Sequence, residues 1–385
     1  MAETEERFRY DERDNVQGRL ELVSGTPAWE EFYKKHPELK EKDMEAQRLN
    51  KISIGNPADN LMGEAIMSFI QDISTENLVD GPVAREKIEM SPERATEKIK
   101  GFAAYLGIDI IRIGPLNPLY IYSHKGRTYG RQEPPEIGAP INLTHKHAIV
   151  LVNALDTTIL RGAPKKQAIF SIHRAYFQLG VIAITLARYI RSLGYPARAQ
   201  TVQNYQVIVP PIAVDAGVGE FGRNGLVVTK EFGQAIKMSV VTTDLPVVYD
   251  LKANLGLDNV CKVCKICAQN CPVGAINPGD KKIIRGAERY PFSPEACFNM
   301  WKSTGTDCGV CLISCPFSRE PSARQYLGPQ LASSGGELPE ELMAQIERLR
   351  DEGHDPGAQP PYPWMEEQPD AWKKYRFGKV RVRNE

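Results

Sequence analysis

All eight cysteines of this 385-residue chain fall between Cys261 and Cys315. The first four stand in the run Cys261-Lys-Val-Cys264-Lys-Ile-Cys267-Ala-Gln-Asn-Cys271-Pro272, a C-x2-C-x2-C-x3-C-P spacing. The second set, Cys297, Cys308, Cys311 and Cys315 followed by Pro316, repeats that ending with its first spacing stretched. Structural zinc uses two C-x2-C pairs, and a third cysteine two residues further on is surplus to tetrahedral coordination. Loops of the C-x2-C kind are too tight for ordinary disulfide geometry. The spacing that remains is the one at which thiolates hold iron–sulfur clusters.

The first run is that of bacterial two-cluster ferredoxins, in which three thiolates of a run hold one cluster and the fourth crosses to the other. This assigns Cys261, Cys264, Cys267 and Cys315 to one cluster and Cys271, Cys297, Cys308 and Cys311 to the second. Eight ligands fill two [4Fe–4S] clusters with none left over. Spacing leaves open whether one of them is a three-iron variant.

Clusters move electrons one at a time and need a reducible group beside them to do substrate chemistry. That group has to come from the cysteine-free part of the chain. The composition there is that of a globular protein, since 42% of all residues are hydrophobic and 25% charged. With 48 basic residues against 48 acidic ones, no net charge exists to attract nucleic acid or an anionic membrane.

Residues 1–90 are polar and broken by turn signals (Gly25-Thr26-Pro27, Gly55-Asn56-Pro57), with short helical patterns at Trp29–Tyr33 and Ala65–Ile73, and read as an extension that wraps the body. Ser91-Pro92-Glu93 opens a helix that leads into Ile108–Ile113, which alternates like a strand. A second apolar strand is expected at His147–Leu155, and further strands at Tyr205–Val209 and Met238–Thr242. Between them, from Ala163-Pro164 to Gly194, Ala175, Leu179, Ile182, Leu186 and Ile190 recur at helical period. Strands and helices alternate, so the body is expected to be α/β or α+β. The apolar runs Ala148–Val152 and Val181–Leu186 fall far short of the roughly 20 residues that cross a bilayer.

Five motifs occur in one order: the helix end Leu186–Tyr195, the glycine-rich run Val214–Gly225, Thr229–Gly233, Val241–Pro246 and the doubled cysteine motif. Over roughly residues 100–320, and more weakly in Pro361–Met365, the chain resembles corrinoid-dependent reductive dehalogenases. The resemblance implies a nitroreductase-like body over residues 91–255 that holds base-off cobalamin. It also implies a double [4Fe–4S] ferredoxin-like domain over 256–325, with a C-terminal extension over 326–385 that packs back on the body. The implied substrate is a small organohalide, and the implied electron source is a redox donor protein of the ferredoxin or flavodoxin type.

In that family a helix tyrosine delivers the proton as halide leaves, and Tyr176 takes its place here. A phenol with an ordinary pKa near 10 is protonated at neutral pH and can donate, and a nearby cation stabilises the tyrosinate left behind. The resemblance gives the cation role to Arg223 and an orienting role to Asn204. On a helix, positions 176, 180, 183 and 187 share one face, here Tyr, Gly, Ala and Ala, a smooth stripe open to a flat macrocycle or to another helix. Gly217, Gly219, Gly222, Asn224, Thr242 and Thr243 are the implied corrinoid contacts. Tyr122, His124, Arg127 and Tyr129 form a polar turn that reads equally as a binding loop or as a solvated one. His145 and His147 flank a strand and read as solvated or core histidines rather than cobalt ligands. The charge runs at 282–289 and 373–383 read as solvated surface or as a docking patch for an acidic redox donor.

Two alternatives share the cofactors. Epoxyqueuosine reductases act on a transfer RNA base and place a carboxylate ahead of the glycine-rich motif, whereas residues 197–214 contain no Asp or Glu. A non-catalytic electron-transfer or corrinoid-reactivating protein would keep the clusters and process no organic substrate. The opening Met-Ala-Glu-Thr-Glu-Glu-Arg has no leader pattern, so a cytoplasmic location is expected of the chain as written, or an exported one if a twin-arginine leader has been removed. Membrane contact is expected only through a partner.

Overall fold

The computed structural model describes residues 8–48, 57–127, 136–165, 167–305 and 307–355, together with Tyr362 and Met365. Its centre is a four-stranded antiparallel sheet in the order β1-β2-β6-β3. These strands are β1 (Ile110–Pro115), β2 (His147–Ala154), β3 (Ala197–Gln200) and β6 (Ile236–Thr243). Two short hairpins supply the rest, β4 (Glu220–Phe221) with β5 (Val227–Val228), and β7 (Lys282–Ile284) with β8 (Ala287–Arg289). β2 is apolar on both faces because it is an inner strand covered on both sides. Ile113, Ile149 and Val241 align across the register on one face. There they pack against Leu179, Ile182, Leu186 and Ile190 of the Ala168–Ser192 helix. Burying each such side chain is worth about 1.5–3 kcal/mol. The opposite face, with Val150, Val152 and Val240, packs on Ile212 and Ala213 of the Val209–Asp215 helix.

The Ala168–Ser192 helix is long and apolar enough, by length and composition, to cross a membrane, but most of that length is buried against the sheet and its neighbours. It ends where Gly194 adopts φ +87°, in contact with the backbone of Glu86. The small-residue stripe on this helix is covered by another helix, Pro57–Ile73, whose Ile70 lies 3.5 Å from where a Cβ at Gly180 would sit. Ala183 and Ala187 are in the core. At positions 180, 183 and 187 the stripe is a packing face.

One strand expectation needs correction, and one strand of the sheet was not expected. Tyr205–Val209 makes only a single bridge, Ile121 with Val207, because Pro210 and Pro211 follow and the chain turns into a helix with proline in its first turn. The missing strand is Ala197–Gln200, which has no β-branched residue and owes its place to pairing with β6.

β3 is also held by Arg198, whose guanidinium is fully buried and bonds Glu76, Asp80 (3.1 Å) and Asn204 Oδ1 (2.8 Å). This ties the N-terminal extension to the sheet. Burial alone would raise the Glu76 carboxyl, but the hydrogen bond and charge of Arg198 hold it down to about 2. A depressed carboxylate stabilises the fold above its unfolded pKa near 4.3, and that contribution is lost as pH falls toward 2. Arg198→Met is expected to destabilise the protein by about 2 kcal/mol at pH 7 and to flatten the pH dependence of the denaturant midpoint between pH 5 and 2.

Further along the extension, Arg19 bridges Asp43 (2.8 Å) and Glu295 (2.8 Å) of the Pro294–Thr304 helix. At the other end of the chain, the Glu340–Glu352 helix packs Leu342, Ile346 and Leu349 onto the cysteine-bearing segment, against Leu257, Val260 and Phe317. Beyond it the chain reaches the body, where Tyr362 Oη donates to Asp156 (2.8 Å) and His354 meets the Ala163 carbonyl.

Candidate redox and proton-transfer site

The Leu257–Cys264 helix starts after Gly256 (φ +68°), where a side chain would strike the backbone of Ala332. Lys265, at φ +54°, breaks it so that a new turn, Ile266–Gln269, can point Cys267 back toward Cys261 and Cys264. A similar break at Cys308 (φ +57°) and Gly309 (φ +77°) starts the Val310–Ser314 helix. No disulfide joins any of the eight cysteines.

The buried thiols interact electrostatically. Cys267 feels Cys261, Cys315 and Cys264 most strongly, and Cys311 after them. Cys308 interacts with Cys311, Cys297 and Cys271. The strongest of these interactions fall within the two sets assigned from the spacing. Burial is the first cause of raised thiol values, to about 12 at Cys261 and Cys297 and about 11 at Cys311, with the neighbouring thiols adding to it. Such thiols ionise when a metal offsets the charge. Among the described residues no three His, Cys, Asp or Glu close on one point as ligands of a single ion would.

Tyr176, on the Ala168–Ser192 helix, packs with Cys308 against Leu160, Ala175, Leu312 and Ile313, next to the second quartet. The ammonium of Lys237 lies 5.0 Å from its ring centroid. Burial would lower the Lys237 pKa, but Tyr176, Asp307 and Cys311 together raise it, so the side chain stays charged. The Asp307 carboxyl is pushed up by burial and drawn down by Lys237. Lys237 pairs across the sheet with Asn153, whose Oδ1 is buried without a partner among the described residues. His173 Nδ1 is in the same condition, and burial followed by the Lys237 charge lowers that imidazole to about 4.

The other predicted site residues are placed elsewhere. Arg223 is buried with its guanidinium committed to backbone carbonyls of the cysteine segment, so the cation beside Tyr176 is Lys237. Asn204 is buried and donates to Ser74 O (2.9 Å) and Glu76 (3.1 Å), a bracing position at β3. The implied corrinoid contacts are occupied by the chain itself. A Cβ at Gly217 would lie 2.0 Å from Leu251 O, one at Gly219 2.0 Å from Val228 O, and one at Gly222 2.6 Å from Gln234 Nε2. Asn224 is paired with Gln234. The Thr242 hydroxyl is fully buried between Gln200 and His145, and that of Thr243 donates to Pro196 O. Tyr122 and His124 lie beside the N-terminal extension, where Ser123 N donates to Tyr10 O and His124 O accepts from Glu12 N. His145 therefore serves Thr242, and His147 meets Tyr249 Oη at 2.7 Å. Tyr129, the 373–383 run and most of 361–365 lie outside the described residues.

Lys237 is the residue that sequence reasoning missed. Its signal was a lone charge in the apolar strand Ile236-Lys-Met-Ser-Val-Val241, at a position of the alternation that faces the long helix.

These features define a mixed helix–sheet body with a doubled cysteine motif packed beside it. Residues 260–318 match the 4Fe-4S dicluster domain family. In sequence and fold the chain is similar to reductive dehalogenases. It is 27% identical over 271 residues to a tetrachloroethene reductive dehalogenase of Desulfitobacterium hafniense, an alignment that covers 60% of this chain and 49% of the relative. A tetrachloroethene reductive dehalogenase of Sulfurospirillum multivorans is 25% identical over 257 residues, covering 59% and 51%. A solved reductive dehalogenase structure that suggests a mechanism for B12-dependent dehalogenation superposes at TM-score 0.64 with 27% identity, covering 79% of this chain and 44% of that one. The chain spans about half the length of the curated relatives it matches.

Proposed function

We propose that the chain catalyses reductive removal of halogen from a small organohalide, R–X + 2e⁻ + H⁺ → R–H + X⁻, with electrons passed through two [4Fe–4S] clusters. The observation that carries this reading is Tyr176, held against a charged Lys237 beside the second thiol quartet. The Tyr176 O–H supplies the proton to carbon, and the Lys237 ammonium holds the phenolate that remains until it is reprotonated. The eight cysteines would supply four thiolates to each cluster and leave none over, in line with the match to a 4Fe-4S dicluster domain. An acidic carrier of the ferredoxin or flavodoxin type would deliver the electrons.

A cobalamin cofactor is supported by the likeness to a B12-dependent enzyme and, when bound base-off, supplies the low-potential metal at which carbon–halogen bonds break. Gly217, Gly219, Gly222 and Thr243, assigned to it from the sequence, are packed against or bonded to the chain itself, so its side-chain contacts would come from other residues. The transfer-RNA alternative still wants a carboxylate in residues 197–214, and none is present.

Lys237→Met is expected to lower kcat for halide release by about a hundredfold with a smaller change in KM, because the charge acts on the phenolate formed as the proton leaves. Anaerobic reconstitution tests the cofactor set. About eight irons and a stoichiometric corrinoid per chain are expected, and a protein that takes up iron while excluding corrinoid would overturn the reading.

A further inference from the structure

Gly222-Arg223-Asn224 does not reach Tyr176, and its position between the two thiol quartets gives it a different task. The Arg223 guanidinium donates to the Cys261 carbonyl from Nε (3.0 Å) and Nη2 (2.7 Å), and from Nη1 to Asn277 O (3.1 Å) and Gly279 O (2.6 Å). The Tyr290 ring stacks 4.0 Å from its central carbon. The result is a rigid, buried cation whose charge is felt by Cys261 and Cys264, both of the first quartet.

The next residue faces the other quartet. Asn224 and Gln234 form a reciprocal amide pair, Asn224 Nδ2 to Gln234 Oε1 and Gln234 Nε2 to Asn224 Oδ1, both 2.8 Å and both buried. Leu226 N also donates to Asn224 Oδ1 (3.3 Å), which fixes the orientation of the amide. Nδ2 carries two hydrogens, and Gln234 takes one. The other is available to Cys311, which the Asn224 side chain contacts. Glycine stands at 222 because a side chain there would displace Gln234 and break the pair.

Cluster reduction potentials follow local charge and hydrogen bonds to sulfur. Reduction adds negative charge, so a fixed cation or an N–H donor favours the reduced state, and more strongly where water is excluded. We propose that Arg223 and Asn224 set the potentials of the two clusters separately, Arg223 that of the first through its charge and Asn224 that of the second through an N–H donated to Cys311. Both are positioning residues that grade the electron path, and neither touches substrate. The inference rests on the reading of the quartets as two clusters.

The test is an EPR-monitored redox titration of the reconstituted full chain with dithionite as one-electron reductant, alongside iron and sulfide determination. Asn224→Leu is expected to lower the second cluster's midpoint by about tenfold in its reduction equilibrium, about 59 mV for a one-electron couple, and to leave the first unchanged. Arg223→Met is expected to lower the first by a similar amount and leave the second unchanged, with Arg223→Lys recovering most of the loss. Gln234→Leu keeps the Asn224 amide while disturbing the same packing, so a second-cluster shift as large as that of Asn224→Leu would overturn the proposal. Midpoints that do not move, or that move together in both variants, would overturn it too. A wild-type protein with fewer than two clusters would instead refute the underlying reading.

Discussion

Replacement of Tyr176 by phenylalanine is expected to reduce halide release by about a hundredfold to ten-thousandfold, the range of a lost general acid, while iron and corrinoid contents stay at wild-type levels. The substitution removes one hydroxyl and keeps the ring that packs with Cys308 against Leu160, Ala175, Leu312 and Ile313, so the second quartet keeps its cover. It also leaves Lys237 without the hydroxyl it serves, which makes the effects of the two sites non-additive. A Tyr176→Phe, Lys237→Met double variant should therefore be little worse than Tyr176→Phe alone. Full activity in the phenylalanine variant would remove Tyr176 from the chemistry.

Loss of a single ligand of the second quartet should be as severe by a different route. Cys311 sits in the Val310–Ser314 helix, where alanine is a favourable residue, so Cys311→Ala changes the ligand set more than the backbone. Iron is expected to fall from about eight to about four per chain, and multiple turnover should cease because electrons reach the first quartet and stop. The first cluster's EPR signal should survive, since its four thiols are contributed by Cys261, Cys264, Cys267 and Cys315. Iron loss from both clusters would mean that the module folds only when both are filled.

The cysteine spacing could be read directly because a cluster needs its thiols at fixed positions along the chain, and residues 260–318 match a 4Fe-4S dicluster domain. The long helix and three of the four sheet strands were legible for a comparable reason, since burying one helix face or an inner strand imposes a period on the side chains. The strand Ala197–Gln200 was not, because pairing with β6 and the ion pairs of Arg198 hold it rather than anything in Ala-Arg-Ala-Gln. Glycines in a run signal close approach but not what approaches. At 217, 219 and 222 it is Leu251, Val228 and Gln234 of the same chain. The choice between Arg223 and Lys237 depended on which cation the fold brings to Tyr176, a long-range fact that neither local sequence carries.

The most direct measurement is halide release by the full chain, reconstituted anaerobically with iron, sulfide and cobalamin and supplied with a low-potential one-electron reductant, across a panel of aryl and alkyl halides. The account predicts stoichiometric halide and dehalogenated product from at least one class, dependent on both cofactors and lost in Tyr176→Phe. A fully loaded protein that releases no halide from any of them would contradict it.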